Sequence, residues 1–420
     1  MRICLFSFLF FFSIFSESIQ NVQYLTTEYK FSKPSDIYFE NGIIRKITPS
    51  IDSKKKSLYM LPSFCDVYVT LGAEPNLSKA EKLESFLQYG FTHIHSVSDG
   101  KEIQKIKTEA ERNKWLSPII SSSSVSILPN SKEFGTSKLK NFTLLDADSK
   151  LEDIISKITE GSFLEIFYRS NEDMKYPMNS LALNDLRLIL QKKNLRIRVH
   201  TYADSVSIMD TLISGNRNIL HPILDSLENE ISKEHLDEIQ YTPLLNVYRN
   251  LHLDGTENDL GQKELEELKK SIYFRNVYAS KFTESLYSMT QTDEERNEKK
   301  IEYNSYLKFI KNHPSLVRRI FLGSGSGHRL SFPGISGIQE LRILKELLPK
   351  NNFIFKTLTE NSCSLISQTY KGKIEINGEA NFVIVKENPL LDISTLWNIQ
   401  EVYLQGKPKL KKNMTKQKNR

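Results

Sequence analysis

From residue 61 to about residue 365, strand-like apolar runs alternate with helix-like amphipathic ones. Few chains can satisfy that pattern. The strand-like runs are "LPSFCDVYVTLG" (61–72), "FTHIHSVS" (91–98), "SPIISSSSVSIL" (117–128), "SFLEIFYR" (162–169), "LRIRVHTY" (195–202), "NILHP" (218–222), "IQYTPLL" (239–245) and "RRIFLGSGSG" (318–327). Helix-like runs lie between them. "KAEKLESFLQYG" (79–90) precedes the second strand, and "LNDLRLILQKKN", with leucines at helical spacing, precedes the fifth. Repeated strand–helix units predict a (β/α)₈ TIM-like barrel over 61–365. A doubly wound open sheet is the competing architecture.

The flanks read differently. In "SDIYFENGIIRKITPS" (35–50), Asn41-Gly42 sits between alternating apolar residues. Both central residues of such a hairpin turn need positive φ. "KGKIEINGEANFVIV" (371–385) and "IQEVYLQGK" (399–407) are strand-like again. Strands at both ends predict a small composite β-sandwich from residues 19–60 and 366–408. The stretch from about 255 to 312, with the charge run "TDEERNEKK" (292–300), reads as helices decorating the outside.

The N-terminus signals export to the periplasm or the exterior. A basic start, the apolar run "ICLFSFLFFFSIF" (3–15) and Ser16-Glu17-Ser18 predict a signal peptide over 1–18, with the mature chain starting near Ile19. The run is too short to span a bilayer, which takes about 20 residues. No membrane span is expected after cleavage. The last 14 residues carry seven of the chain's positive charges and no acid, so without them the net charge of +6 becomes −1. A near-neutral body gives no nucleic-acid face, and 409–420 reads as a disordered basic tail. Cys65 and Cys363 could pair in an oxidising compartment, but each sits in an apolar or small-residue context, and they read as buried free thiols.

In order along the chain, these segments resemble the amidohydrolase superfamily, most closely its imidazolonepropionase-like and prolidase-like branch. "LPSFCDVYVTL" is similar to the first barrel strand, normally Pro-Gly-hydrophobic-hydrophobic-Asp-x-His-x-His. "QYGFTHIHSV" resembles Ala-Gly-Val-Thr-Thr, "TENSCSLI" the Thr-x-Asn-x-Ala helix, and "GKIEINGEANFVIVKENPLLDI" the closing segment. The resemblance implies a metal-dependent hydrolase of carbon–nitrogen bonds that acts on a small molecule. Its metal ligands would be a His-x-His pair on strand 1, a carboxylated lysine or acid on strand 4, histidines on strands 5 and 6, and an aspartate on strand 8 that also moves the proton.

Position by position, much of that set is replaced. Tyr68 and Thr70 stand for the strand 1 pair, Tyr202 for a second strand 5 histidine, and Gly325 for the strand 8 aspartate. Glu165, His200 and His221 remain. The resemblance therefore implies at most one divalent, zinc-like metal on Glu165, His200 and His221, with weak or lost activity. The alternative is a metal-free pseudoenzyme that binds a small molecule or a partner. His328 is a substitute base or a loop residue, while His93 and His95 read as packing residues.

Overall fold

The structure, a computed structural model, describes residues 17–51, 57–72, 78–97, 100–128, 143–144, 155–156, 163–168, 179–201, 205–252, 292–328, 331–349 and 352–411. Residues 1–16 of the expected signal segment, Tyr202, the stretch 255–291 and most of the basic tail fall outside the described residues, while Glu17 and Ser18, expected to leave with the signal, lie in a strand.

The two chain ends share one sheet. It contains β1 (Glu17–Tyr24), β2 (Ser35–Glu40), β3 (Ile43–Pro49), β4 (Leu58–Pro62), and three later strands. The β2–β3 turn has Asn41 at φ 51° and Gly42 at φ 77°, as its sequence requires. The later strands are β13 (Phe382–Val385), β14 (Glu401–Leu404) and β15 (Lys407–Lys411), in the order β15-β14-β13-β4-β1-β2-β3. Val22, Ile37, Phe39, Ile44, Met60, Phe382 and Tyr403 form its core.

Two expectations shift here. Only Phe382–Val385 of the 371–385 run is a regular strand. Gly372 and Asn377 take positive φ, and Asn377, Gly378 and Ala380 hydrogen-bond instead to Ile44 and Gly42. Residues 409–411, expected in the tail, are the end of β15, because Leu410 pairs with Val402.

Between the two ends lies a sheet whose pairs are all parallel. Its strands are β5 (Phe64–Val69), β6 (Phe91–Ser96), β7 (Ile119–Leu128), β8 (Thr143–Leu144), β9 (Phe163–Tyr168), β10 (Arg196–Thr201), β11 (Asn218–Leu220) and β12 (Gln240–Thr242). The order is β12-β11-β10-β9-β7-β6-β5, with β8 on β7. Residues 320–326 reach both outer strands. Tyr241 bridges Ile320, Val69 bridges Ser326, and Leu322 accepts from the Val67 N–H at 2.9 Å.

Helices cover the strands: α1 (Lys79–Gln88), α2 (Gly100–Arg112), α3 (Ser180–Lys192), α4 (Ser205–Ile213), α5 (Lys233–Glu238), α6 (Leu245–Leu251), α7 (Asp293–Asn312) and α8 (Ile335–Leu347). A capping box of Ser78 and Glu81 starts α1. Another, of Thr292 and Glu295, makes the charged run the start of α7, which buries Tyr303, Tyr306, Phe309 and Ile310. Among the described residues no helix is long and apolar enough to cross a membrane.

Cys65 and Cys363 are not free thiols. They form a disulfide, with Cα atoms 5.1 Å apart and a sequence separation of 298. The short helix Ser362–Ile366 packs on β5, so Cys65, Val67, Cys363, Leu365 and Ile366 share one buried cluster. That juxtaposition is tertiary and leaves no trace in local sequence.

Candidate functional site

Alternate residues of a strand face the same way, and the register of β9 against β10 sets two levels. Glu165 pairs with Arg198, and Phe167 with His200 one step closer to the strands' C-terminal ends. The inward side chains form a deep layer and a rim layer.

The deep layer is charged and fully buried. Glu165 and Arg198 are both 0 % exposed, with Arg198 Nη1 3.5 Å from Glu165 Oε1. The same oxygen lies 3.2 Å from His95 Nε2 and 3.7 Å from His200 Nε2. Ser123 donates to Glu165 Oε2 at 2.8 Å. Burial alone would raise the Glu165 carboxyl, but its contacts with the His200 and His95 rings outweigh it and hold the group well below its usual range. Burial pushes His95 down to about 4, and Arg198 acts in the same direction. His93 lies outside this cluster, stacked on Tyr370 with ring centroids 4.9 Å apart.

The rim layer is made of rings. Tyr68 lies 5.5 Å from His200, 6.0 Å from His221 and 5.7 Å from His328, centroid to centroid. Phe167 stacks on His200 at 3.9 Å. His221, at φ 79°, shares a hydrogen bond of 2.9 Å between Nδ1 and the Tyr248 hydroxyl. Burial lowers both His200 and His221, so these imidazoles are neutral near pH 7. His328 is exposed.

Gly325 also lies at the rim, its N–H bonded to the Tyr68 carbonyl at 3.0 Å. It takes φ 63°, and a Cβ there would lie 2.0 Å from Val247 Cγ2. Thr70 meets the same segment through its backbone, donating to the Ser326 carbonyl at 2.7 Å. Val247 and Tyr248 are placed by α6, which begins after Leu244 at φ 54° and has no side-chain cap of its own. Glu340 of α8 supplies the cap from a distance, accepting from the N–H groups of Leu245 at 2.9 Å and Asn246 at 2.6 Å. Burial raises the Glu340 carboxyl to about 8 despite those bonds. It also raises Asp66 to about 7, although Oδ1 accepts from the N–H groups of Ser324 and Tyr68.

Tyr68, His200, His221, Gly325 and His328 therefore lie together, with Thr70 alongside. Glu165 does not join them at the rim. It sits one level deeper, and Phe167 occupies the position beside His200. Among the described residues no group of three or more His, Cys, Asp or Glu side chains is arranged to hold a metal ion. Glu165, His200 and His221 do not fit one as a set, because the carboxylate is committed to Arg198, His95 and Ser123.

Sequence reasoning missed Arg198, Ser123, Phe167, Val247 and Tyr248, and it gave His95 only a packing role. Arg198 had a signal, since it stands two residues before His200 and must share its face.

No family model and no curated protein matches this sequence. Solved structures do match. An amidohydrolase superposes with a TM-score of 0.67 at 17% identity, over 94% of this chain and 99% of that one. A. niger ochratoxinase gives 0.67 at 14% identity, over 94% and 96%. A prolidase complexed with N-methylphosphonate-L-proline gives 0.66 at 15% identity, over 93% and 98%. The chain has an amidohydrolase-superfamily fold, and at these identities the likeness concerns the fold alone.

Proposed function

We propose that this chain is an exported, metal-free relative of the amidohydrolases, which has given up hydrolysis and binds a small molecule or a partner at the strands' C-terminal rim. In this reading the parallel strands and residues 320–326 close into a (β/α)₈ barrel, and the two termini form a composite β-sandwich domain. The bridges from 320–326 to both outer strands support closure, and the buried disulfide supports an oxidising compartment.

The observation that carries the loss of hydrolysis is the place of Gly325. A catalytic aspartate there would need a side chain where Val247 already packs, on left-handed backbone. A glycine that had merely lost its side chain would leave a hole; this one is filled.

A second reading keeps one divalent ion on His200 and His221, with slow cleavage of a carbon–nitrogen bond. It is favoured by His200, which is 1% exposed and whose ring nitrogens have no hydrogen-bond partner among the described residues. Elemental analysis of the purified native protein, with turnover assays on dipeptides and N-acyl amino acids, separates the two. The expected result is substoichiometric metal and no turnover. One equivalent of tightly held zinc with measurable turnover establishes the second reading instead.

A further inference from the structure

We propose that a groove at the opposite end of the parallel strands from the rim binds a small monocarboxylic acid with an aromatic or branched apolar body. Neither reading of the rim bears on it. Residues 320–326 run toward the rim, where Ser326 bridges Val69. Arg318 stands at the other end of that run, in the short helix Pro314–Arg319. There the turn after β1, the end of α8 and Phe353 border a groove of about 670 Å³, a size usual for small-molecule sites.

The walls of the groove are largely apolar, with Tyr29, Leu347, Leu348 and Phe353 among its lining residues. The Tyr29 and Phe353 ring centroids are 5.3 Å apart. Tyr29 is held at φ 57°, a left-handed conformation that bulky residues rarely adopt. Two bonds close the turn that imposes it, from the Thr26 N–H to the Lys30 carbonyl at 2.8 Å and from the Tyr29 N–H to the Thr26 carbonyl at 3.0 Å. The Tyr29 hydroxyl donates to Glu360 Oε2 at 3.3 Å. The strained turn thus fixes the ring against Phe353 and sets Lys30 at the groove's edge.

The charges select the ligand. Arg318 Cζ lies 4.5 Å from the Phe353 ring centroid. A guanidinium stacked by its face keeps its N–H edges for an acceptor, and that fork matches a carboxylate. Among the described residues, neither the Arg318 nor the Lys30 side chain has a hydrogen bond or ion pair. Glu28 is the one acid among the described lining residues, and its Oε1 accepts from the Thr27 hydroxyl at 3.3 Å. Lys30 and Arg318 against Glu28 leave a single positive charge, which a monoanion balances. A phosphate dianion would set its second charge against Glu28.

Calorimetric titration of the full chain at neutral pH with 4-phenylbutyrate, 4-phenylbutanol and 2-phenylethyl phosphate tests the assignment. The carboxylic acid should bind saturably, about tenfold tighter than the alcohol, and tighter than the phosphate. Arg318→Met keeps an apolar chain on Phe353 and should reduce the acid to the alcohol's affinity. Lys30→Glu reverses a charge at the edge and should weaken the acid about tenfold while leaving the alcohol unchanged. Both residues are exposed, so the thermal midpoints should stay at the wild-type value.

Equal affinities for acid and alcohol overturn the proposal. So does an acid affinity that survives Arg318→Met, which would place the ligand elsewhere, or a phosphate that binds tightest of the three. Absence of saturable binding up to about 10 mM acid overturns it as well. If Arg318→Met does not fold, Lys30→Glu decides: a weakened acid with an unchanged alcohol supports the site, and an unchanged acid overturns it.

Discussion

The deep and rim layers of inward side chains are one residue pair apart along the strands, yet they handle polarity in opposite ways. The deep layer keeps full charges and pairs them: Glu165 with Arg198, with His95 and Ser123 completing the carboxylate's surroundings. The rim layer carries no fixed charge at its centre, where Tyr68, Phe167, His200 and His221 pack as rings. A polar site inside a parallel sheet can thus be neutralised by pairing or by replacement. Pairing leaves a structure sensitive to the loss of either partner, because the survivor is a buried charge. Replacement leaves one that tolerates small changes and resists restoration, because the space has been reused.

The strongest way to break this comparison is to restore charge at the rim. Gly325→Asp must place a side chain on left-handed backbone and against Val247 Cγ2. The expected cost is about 3–5 kcal/mol from backbone strain, overlap and a buried carboxylate together, read by urea denaturation. Val247→Ala in the same chain should return part of it. A Gly325→Asp protein as stable as wild type would mean that the rim has room for a charged side chain.

Next in size is pH dependence, which tests whether charge beneath the rim is tolerated. Burial raises Asp66 to about 7 and Glu340 to about 8. For these two carboxyls the folded state binds more protons than the unfolded one between the unfolded and folded pKa values, so their contribution to stability falls as pH rises from about 4 to about 8, while the lowered histidines His93, His95, His200 and His221 oppose that slope below about pH 6.5. Denaturant melts of wild type and Asp66→Asn at pH 5 and pH 8 isolate the carboxyl's share, which should favour pH 5. Asp66→Asn should remove Asp66's share of that slope, about 2–4 kcal/mol. A slope that Asp66→Asn leaves unchanged would show that this carboxyl is solvated as a charge.

The smallest effect sharpens the contrast. Tyr248→Phe removes one hydrogen bond to His221 and keeps the ring. It should cost about 1 kcal/mol, detectable as a small shift in the denaturation midpoint. A loss of several kcal/mol would mean that the rim works as a cooperative polar network like the layer below.

Much of the fold was legible because it is written in local periodicity. The Asn41-Gly42 hairpin follows from backbone sterics alone. The runs at 91–98, 162–169 and 195–202 became β6, β9 and β10 within a residue or two at each end. The strand expected at 318–327 did not form a regular element: Arg318 and Arg319 end a 3-10 helix, and Ile320 and Ser326 make single bridges to Tyr241 and Val69. The site was half legible. Alternation along a strand tells which residues share a face, so His200 and His221 were found. It does not tell which level on the neighbouring strand stands opposite: the register pairs His200 with Phe167, and Glu165 reaches His200 from one level below, 3.7 Å from Nε2. Val247 and Tyr248 reach the rim only because Glu340, far along the chain, caps α6.

The bond between Cys65 and Cys363 has a topological consequence. It closes the chain into a covalent ring across a sequence separation of 298, and that ring contains every parallel strand after the start of β5. A single peptide-bond cut anywhere inside the ring linearises it without releasing a fragment. Among external proteases, such a molecule can be nicked and still travel as one body, its two pieces parting only when the disulfide is reduced and the fold is lost.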